Sequence, residues 1–192
     1  MNKKFIYIGL AILIVGWFVS SYNSMVSKNE VVAEKWAQVE TVYQRRADLI
    51  PNLVATVKGV ADFEKSTLTA VIEARSKATS MTIDASKLDA TSMQKFQAAQ
   101  GELTGSLSKL LVSVERYPEL KANQNFLELQ AQLEGTENRV SVERNRFNTV
   151  TKEYNSYIKK LQNKLIAGLF GFDEKPYFEA DAGAEKVPEV QF

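Results

Sequence analysis

Carboxylates at helical spacing are the side chains in this sequence that could bind a ligand through their chemistry. Glu30 lies four residues before Glu34, and Glu134 lies three residues before Glu137, so each pair shares one face of a helix. Two such carboxylates could bind a hard cation such as Mg²⁺ or Ca²⁺. Surface carboxylates are common on any helix, so the simpler interpretation is that each pair lies on a solvent-exposed helix face and binds nothing.

The composition excludes most other kinds of catalytic and metal site. The sequence contains no Cys and no His, which removes thiolate zinc sites, disulfides and every Ser-His or Cys-His arrangement. The 24 basic residues nearly balance the 23 acidic ones, so the basic surface that nucleic-acid binding requires is missing. We therefore predict a protein that is not an enzyme and that binds no cofactor, metal or nucleic acid.

One uncharged apolar stretch near the N-terminus is long enough to cross a bilayer. Residues 5–22 carry no charge, and 18 residues of helix span about 27 Å, close to the thickness of the hydrocarbon core. Trp17 and Tyr22 are aromatic residues of the kind that line a membrane interface. We therefore predict that residues 1–24 form a transmembrane anchor, with residues 5–22 in contact with lipid. A cleaved signal peptide is the alternative.

The charges that flank this stretch indicate an orientation in the membrane. Lys3 and Lys4 precede it, whereas the basic residues that follow, Lys28 and Lys35, are accompanied by acids. Basic residues concentrate on the cytoplasmic side of membrane spans. We therefore expect the N-terminus in the cytoplasm and the bulk of the chain outside it.

Beyond the apolar stretch, the chain has the hydrophobic periodicity of helices. Apolar residues recur at spacings of three and four over residues 22–61, and no breaker separates this segment from the apolar stretch. We predict one continuous helix that leaves the membrane, with a kink at Pro51 because proline removes a backbone hydrogen bond. Further helices are predicted at residues 63–79, with Asp62 as cap, and at residues 86–116.

The strongest periodic signal covers residues 123–164. Apolar or aromatic residues recur there at every seventh position, which predicts a long helix with coiled-coil-like packing. Because three other apolar stripes need a partner, we predict packing within the chain, in an all-α, long antiparallel bundle of three to four helices. Packing between chains is the alternative. The heptad positions are Phe126, Leu133, Val140, Phe147, Tyr154 and Leu161.

The C-terminal region joins an apolar segment to an acidic one. Residues 165–172 read LIAGLFGF, and residues 173–192 contain six acids against two lysines. We predict a bundle over residues 25–172 and a partly disordered acidic tail over residues 173–192. The aromatic residues of this region either pack back on the bundle or contact a membrane or a partner. The interaction candidates are Leu165, Leu169, Phe170, Phe172, Tyr177, Phe178 and Phe192.

Several motifs in the chain resemble the LemA family of bacterial membrane proteins. The most specific are RRADLIPNLV at residues 45–54 and LQAQLEGTENR at residues 129–139. LIAGLFGF and the tail segment KPYFEADAGAEKVP also match, and the matches cover most of the chain in the family's order. The resemblance implies an antiparallel helical bundle on one transmembrane helix of the bacterial inner membrane, with no established reaction.

The anchor, the heptad and the tail together predict a non-enzymatic scaffold or adaptor that self-assembles or binds another envelope protein. Confinement to a membrane raises effective concentration, so weak contacts can assemble such a protein, and homo-oligomers are expected. The family is often encoded near HtpX-type membrane proteases or near proteins with an extracytoplasmic TPM domain, so the resemblance suggests an envelope protein, such as an HtpX-type protease, as a partner. The alternatives are an accessory subunit that senses a cation or ligand and a coat protein that remodels the membrane.

Overall fold

Helices account for most of the computed structural model, which describes residues 3–59 and 63–179. These residues form six α-helices and a 3₁₀ turn at Ala85–Lys87, and they contain no β-strand. The predicted all-α class is therefore confirmed. The helices are α1 (Lys3–Lys58), α2 (Lys65–Ser80), α3 (Ala90–Val114), α4 (Pro118–Lys121), α5 (Gln124–Ile158) and α6 (Leu161–Phe170).

Helix α1 joins the apolar N-terminal stretch to the bundle without a break. It contains 56 residues, so at about 1.5 Å per residue it extends for about 84 Å. Its apolar part has the length and composition of a membrane span, and only 6% of that window is buried against the rest of the protein. This arrangement is compatible with a single-pass membrane protein. From Ser21 onward, buried residues recur along the same helix, which becomes part of the core.

The proline in α1 does not end the helix. Pro51 is exposed, and α1 continues beyond it to Lys58. The missing backbone N–H of the proline therefore lies on the solvent side of the helix, where its loss costs least. Helix α2 begins at Lys65, and the predicted cap, Asp62, lies outside the described residues.

The long helices pack as antiparallel neighbours. Helices α1 and α5 are joined by the ion pairs Lys28–Glu153 and Arg46–Glu137, so residue numbers rise along one helix as they fall along the other. The ion pairs that join α3 and its C-terminal end to α2 follow the same opposed order. The predicted antiparallel bundle is therefore confirmed, with α1 as the element that runs on into the apolar span.

The core consists of two apolar clusters with a polar layer between them. The proximal cluster, on the side of the apolar span, is centred on Trp36, Phe96 and Phe147, whose rings are in contact. The distal cluster is centred on buried aliphatic residues such as Ile50 and Leu103. The polar layer comprises Arg46 and the three residues to which its guanidinium donates, Gln100, Thr104 and Glu137.

The helix predicted over residues 123–164 is divided into α5 and α6. Five of the six heptad residues are buried as the repeat predicts, but Leu161 is 89% exposed. Lys160 has an extended backbone (φ −57°, ψ 138°), and Asn163 Nδ2 donates to the carbonyl oxygen of Tyr157 at 2.9 Å. Leu161 therefore begins a separate helix instead of continuing the heptad seam.

Helix α3 begins at Ala90, four residues later than predicted. The side chain of Asp89 accepts from Ser92 N at 2.7 Å, and Ser92 Oγ accepts from Asp89 N at 3.1 Å, which completes a capping box. Asp84 caps the preceding 3₁₀ turn by accepting from Ser86 N at 2.9 Å. Two caps five residues apart therefore hold a separate turn where the sequence predicted the start of one helix.

Candidate functional site

The anchor-proximal surface, which comprises α6 and the part of α1 that it contacts, holds several of the predicted interaction residues. Leu165 and Leu169 lie one turn apart on α6 and are 72% and 67% exposed. Leu161 lies one turn before them, so the three leucines form an apolar stripe at i, i+4 and i+8. The opposite face of α6 packs on the bundle. Its buried residues are Asn163, Ile166 and Ala167.

Aromatic contacts attach α6 to α1. The ring of Phe170 lies 5.9 Å from that of Phe18 and 4.8 Å from that of Tyr22, measured between centroids. Gly171 follows with a positive φ of 71°, a backbone conformation that favours glycine, and ends the helix. The resulting turn brings Phe172 to 5.8 Å from the ring of Tyr22. The end of α6 is thereby fixed beside the end of the apolar span.

The segment after α6 forms a C-terminal strap, residues 173–179, which runs along the bundle without regular secondary structure. Asn155 Nδ2 donates to the carbonyl oxygen of Lys175 at 2.8 Å, and Lys175 N donates back to Asn155 Oδ1 at 2.9 Å. Asn148 makes the same pair of bonds with the backbone of Phe178, at 2.9 and 2.8 Å. Two asparagines seven residues apart on α5 thus satisfy the backbone of the strap.

The strap also buries two titratable side chains. Lys175 Nζ donates to the carbonyl oxygen of Ser86 at 3.1 Å, and burial lowers the pKa of this ammonium, an effect that the carboxylates of Asp173 and Asp84 oppose. Tyr154 donates its hydroxyl proton to the carbonyl oxygen of Asp173 at 3.0 Å. Burial, together with the charge of Asp173, raises the pKa of Tyr154 to about 12. Tyr154 therefore stays a hydrogen-bond donor at neutral pH.

The predicted interaction residues of the C-terminal region have different environments. Phe178 lies in the proximal cluster, with its ring centroid 5.5 Å from that of Phe147. Tyr177 is 42% exposed, and its hydroxyl oxygen accepts from Asn155 Nδ2 at 3.1 Å. Phe172 is partly buried, and Phe192 lies outside the described residues. The exposed candidates are therefore Tyr177 in the strap and Leu165, Leu169 and Phe170, which adjoin one another on α6.

A polar groove of about 950 Å³ lies between α3 and α5, with the strap along one edge. Arg46, one of the residues that line it, is only 2% exposed. Its Nη1 donates to Glu137 at 2.8 Å and to Thr104 at 2.9 Å, and its Nη2 donates to Gln100 Oε1 at 2.5 Å. Arg144 on α5 binds the carbonyl oxygen of Glu179 in the strap. The groove therefore offers charged and amide groups that the bundle holds rigidly.

Of the four carboxylates whose spacing could suit a cation, Glu34, Glu134 and Glu137 have other partners. Glu137 binds Arg46, and Glu34 accepts from Lys35 at 2.9 Å and from Gln38 at 3.0 Å. In the part of the chain that the structure describes, no group of three or more acidic side chains is placed to hold a metal ion. These carboxylates therefore contribute to the charge pairing of the bundle surface.

Sequence reasoning missed the polar residues that join the elements of this region, although the spacing contains a signal for one of them, Arg46. Arg46 falls in the buried stripe of α1 between Tyr43 and Ile50 at helical spacing. Asn148 and Asn155, by contrast, each follow a heptad residue by one position on α5, so periodicity does not assign them to the core. A polar residue at a position that periodicity assigns to the core is expected to have a buried partner.

Asn155→Ala is expected to loosen the strap. The substitution leaves the buried backbone N–H and carbonyl of Lys175 without their partners, which costs about 1–3 kcal/mol. Melting temperature and amide exchange at Lys175 measure this loss. Asn145→Ala, at an exposed position of the same helix, is the control and should change stability by less than about 0.5 kcal/mol. Equal losses in both variants would contradict the role assigned to Asn155.

The fold and these surfaces define an antiparallel helical-bundle protein built on one N-terminal apolar helix. The chain belongs to the LemA family, whose family model matches residues 35–192. The resemblance that the sequence motifs indicated is therefore confirmed.

Relatives of this chain carry two kinds of name. Protein LemA of Metamycoplasma hominis is 22% identical over 169 residues, which cover 86% of this chain and 74% of that protein. Magnetosome protein MamQ of Magnetospirillum gryphiswaldense is 26% identical over 180 residues, which cover 84% of this chain and 66% of that protein. Magnetosome protein MamQ 2 of Paramagnetospirillum magneticum is 24% identical over 175 residues, which cover 82% of this chain and 64% of that protein. The chain thus spans slightly under two thirds of these MamQ proteins. Neither kind of name denotes an enzyme.

Proposed function

We propose that this protein is a non-enzymatic scaffold of the bacterial envelope that self-assembles or binds another envelope protein. In this proposal residues 5–22 anchor it in the inner membrane, and the bundle lies on the extracytoplasmic side. The observation that carries the proposal is the continuity of α1, whose 56 residues belong first to the apolar span and then to the core. Because no flexible linker intervenes, the bundle is held at a fixed height and angle to the bilayer.

A bundle held in this way is suited to assembly. Every copy presents the same surfaces at the same distance from the membrane, and confinement to two dimensions raises the effective concentration of copies and partners. Weak contacts between bundles are then sufficient for association. Closed symmetric homo-oligomers are the commonest outcome for such proteins.

The polar groove supports the adaptor half of the proposal. Its walls come from α3, α5 and the strap, and Arg46, Glu137 and Arg144 place charges of both signs along it. An extended or helical segment of another envelope protein would fit such a groove. An HtpX-type membrane protease is the first partner to test.

The native mass of the full-length protein, extracted from its membrane in mild detergent, tests the scaffold. We expect a defined multiple of 21.5 kDa, with or without a copurifying envelope protein that mass spectrometry identifies. Intact mass of the chain itself should include residues 1–24, since the anchor is retained in this proposal. A monomer that resists mild cross-linking and copurifies with nothing would contradict the scaffold and favour the ligand-sensing alternative.

A further inference from the structure

Helix α6 presents an apolar face that nothing in the described chain covers. Leu161, Leu165 and Leu169 form the stripe, and Phe170 beside them is 51% exposed. Contiguous exposed apolar side chains of this kind mark contact with a membrane or with another protein. The position of α6 relative to the apolar span decides between these occupants.

Ring contacts give the depth of α6 relative to the span. Tyr22 is the last residue of the predicted span, residues 5–22, and Phe18 lies one turn inside it. Four residues of helix correspond to about 6 Å along the axis. Because the ring of Phe170 contacts both aromatic rings, the end of α6 lies within this distance of the end of the span. Amphipathic helices in the membrane interface are buried to about the same depth, roughly 5–10 Å.

The polar residues of α6 also suit a membrane interface. Lys164 is exposed on α6 next to Leu165, and Lys159 and Lys160 lie just before the helix. Lysine side chains extend along an apolar surface and place their ammonium groups at the level of phospholipid phosphates. Lys159 is bound to Glu174 at 2.6 Å. Lys164 is therefore the lysine within α6 itself that can meet a phosphate while the leucines meet acyl chains.

We propose that α6 is an interfacial helix that inserts its leucine stripe into the bilayer leaflet on the bundle side. This inference rests on the proposed anchor, because the contact of Phe170 with Phe18 places α6 at the bilayer only where α1 spans it. Phospholipid is the occupant that the geometry favours, since lipid surrounds the same stretch of α1 that α6 contacts. A second membrane contact would fix the rotation of α1 about its axis and thus the direction in which the polar groove faces.

Three single-cysteine variants of the full-length protein test this placement. The sequence contains no native Cys, so each introduced thiol carries the only nitroxide label. Leu13→Cys lies in the span, Leu165→Cys on α6 and Val112→Cys near the far end of α3, and the native side chains are 71%, 72% and 71% exposed. The labelled proteins are reconstituted in vesicles of phosphatidylethanolamine and phosphatidylglycerol. Collision rates with oxygen, which concentrates in lipid, and with a water-soluble nickel chelate are then measured.

The expected result is that labels at positions 13 and 165 collide several-fold more with oxygen than with the chelate, whereas the label at position 112 shows the reverse. If the label at position 165 behaves like the label at position 112 and the label at position 13 is in lipid, the interfacial helix is refuted and the anchor is unaffected. Protection at position 165 from both reagents would indicate a protein partner and also overturn it. A label at position 13 in water would refute the anchor itself.

Unchanged melting temperature in detergent verifies that each labelled variant is folded. Leu169→Cys, at a position that is 67% exposed, replaces Leu165→Cys if that variant fails to fold. The same collision pattern is expected there, because both residues belong to the leucine stripe.

Discussion

Val140→Asp is expected to unfold the bundle. Val140 is 2% exposed in the proximal cluster, on the face of α5 that packs against α1. A carboxylate at this position loses its hydration without gaining a cationic partner, so it destabilises the fold whether it stays charged or takes up a proton. The expected loss is about 4–5 kcal/mol, the upper end of single-substitution effects. Because a domain of this size is stable by about 5–15 kcal/mol, this loss unfolds a bundle at the lower end of that range and strongly lowers the melting temperature of a more stable one, as circular dichroism will measure.

Val142→Asp is the matched control for this prediction. The same change is made two residues along the same helix, at a side chain that is 46% exposed. Both variants lose a β-branched residue, so the difference between them isolates burial, and the control should change stability by less than about 0.5 kcal/mol. If Val140→Asp keeps its melting temperature and loses only self-association, the seam of α5 packs between chains and the assignment to an intrachain core fails.

The sequence was sufficient to predict the long helices, because their signal is local. The heptad residues Phe126, Leu133, Val140, Phe147 and Tyr154 are all buried along α5. Each contributes to the same face because seven residues are close to two turns of helix. The continuity of α1 was likewise predictable, since no helix breaker lies between the apolar span and the first buried residues.

The end of the heptad was not predictable from periodicity. Leu161 continues the seven-residue spacing but lies on α6, 89% exposed. The break depends on the side chain of Asn163, which replaces a helical backbone donor at the carbonyl of Tyr157. No glycine or proline marks the position. A hydrogen bond from a side chain to the backbone leaves no such signature in hydrophobic spacing, so the position of α6 beside the span had to come from the structure.

The candidate site was only partly predictable for a related reason. Leu165, Leu169 and Phe170 are exposed, as an interaction surface requires, whereas Phe178 serves the core. The sequence could not distinguish these roles, because an apolar residue in a short irregular segment has no periodicity to assign its side. The side to which Phe178 points is decided by the hydrogen bonds between the strap and the side chains of Asn148 and Asn155, which turn Phe178 toward Trp36.

Arg46→Ala is expected to destabilise the bundle by about 2–4 kcal/mol, because it leaves the buried side-chain acceptor of Gln100 without its partner and removes a large buried side chain. Arg46 is the donor that joins α1 to Gln100 and Thr104 on α3 and to Glu137 on α5. Without it, Gln100, which is 7% exposed, loses the partner of its side-chain oxygen inside the bundle. Thermal and urea unfolding measure the loss. Arg45→Ala is the control, since Arg45 is the exposed neighbour on the same helix.

A double substitution can test whether the buried Arg46 has a role besides stabilising the bundle. In the double variant Arg46→Met and Gln100→Leu, the buried polar groups are replaced by apolar ones of similar size, and Glu137, half exposed, can regain hydration. Such replacements are often neutral or stabilising, so most of the lost stability should return. If the polar layer fixes the register of the two clusters, the restored protein will melt less cooperatively or form mixed oligomers. A double variant as unstable as Arg46→Ala would instead indicate that the layer is required for packing itself.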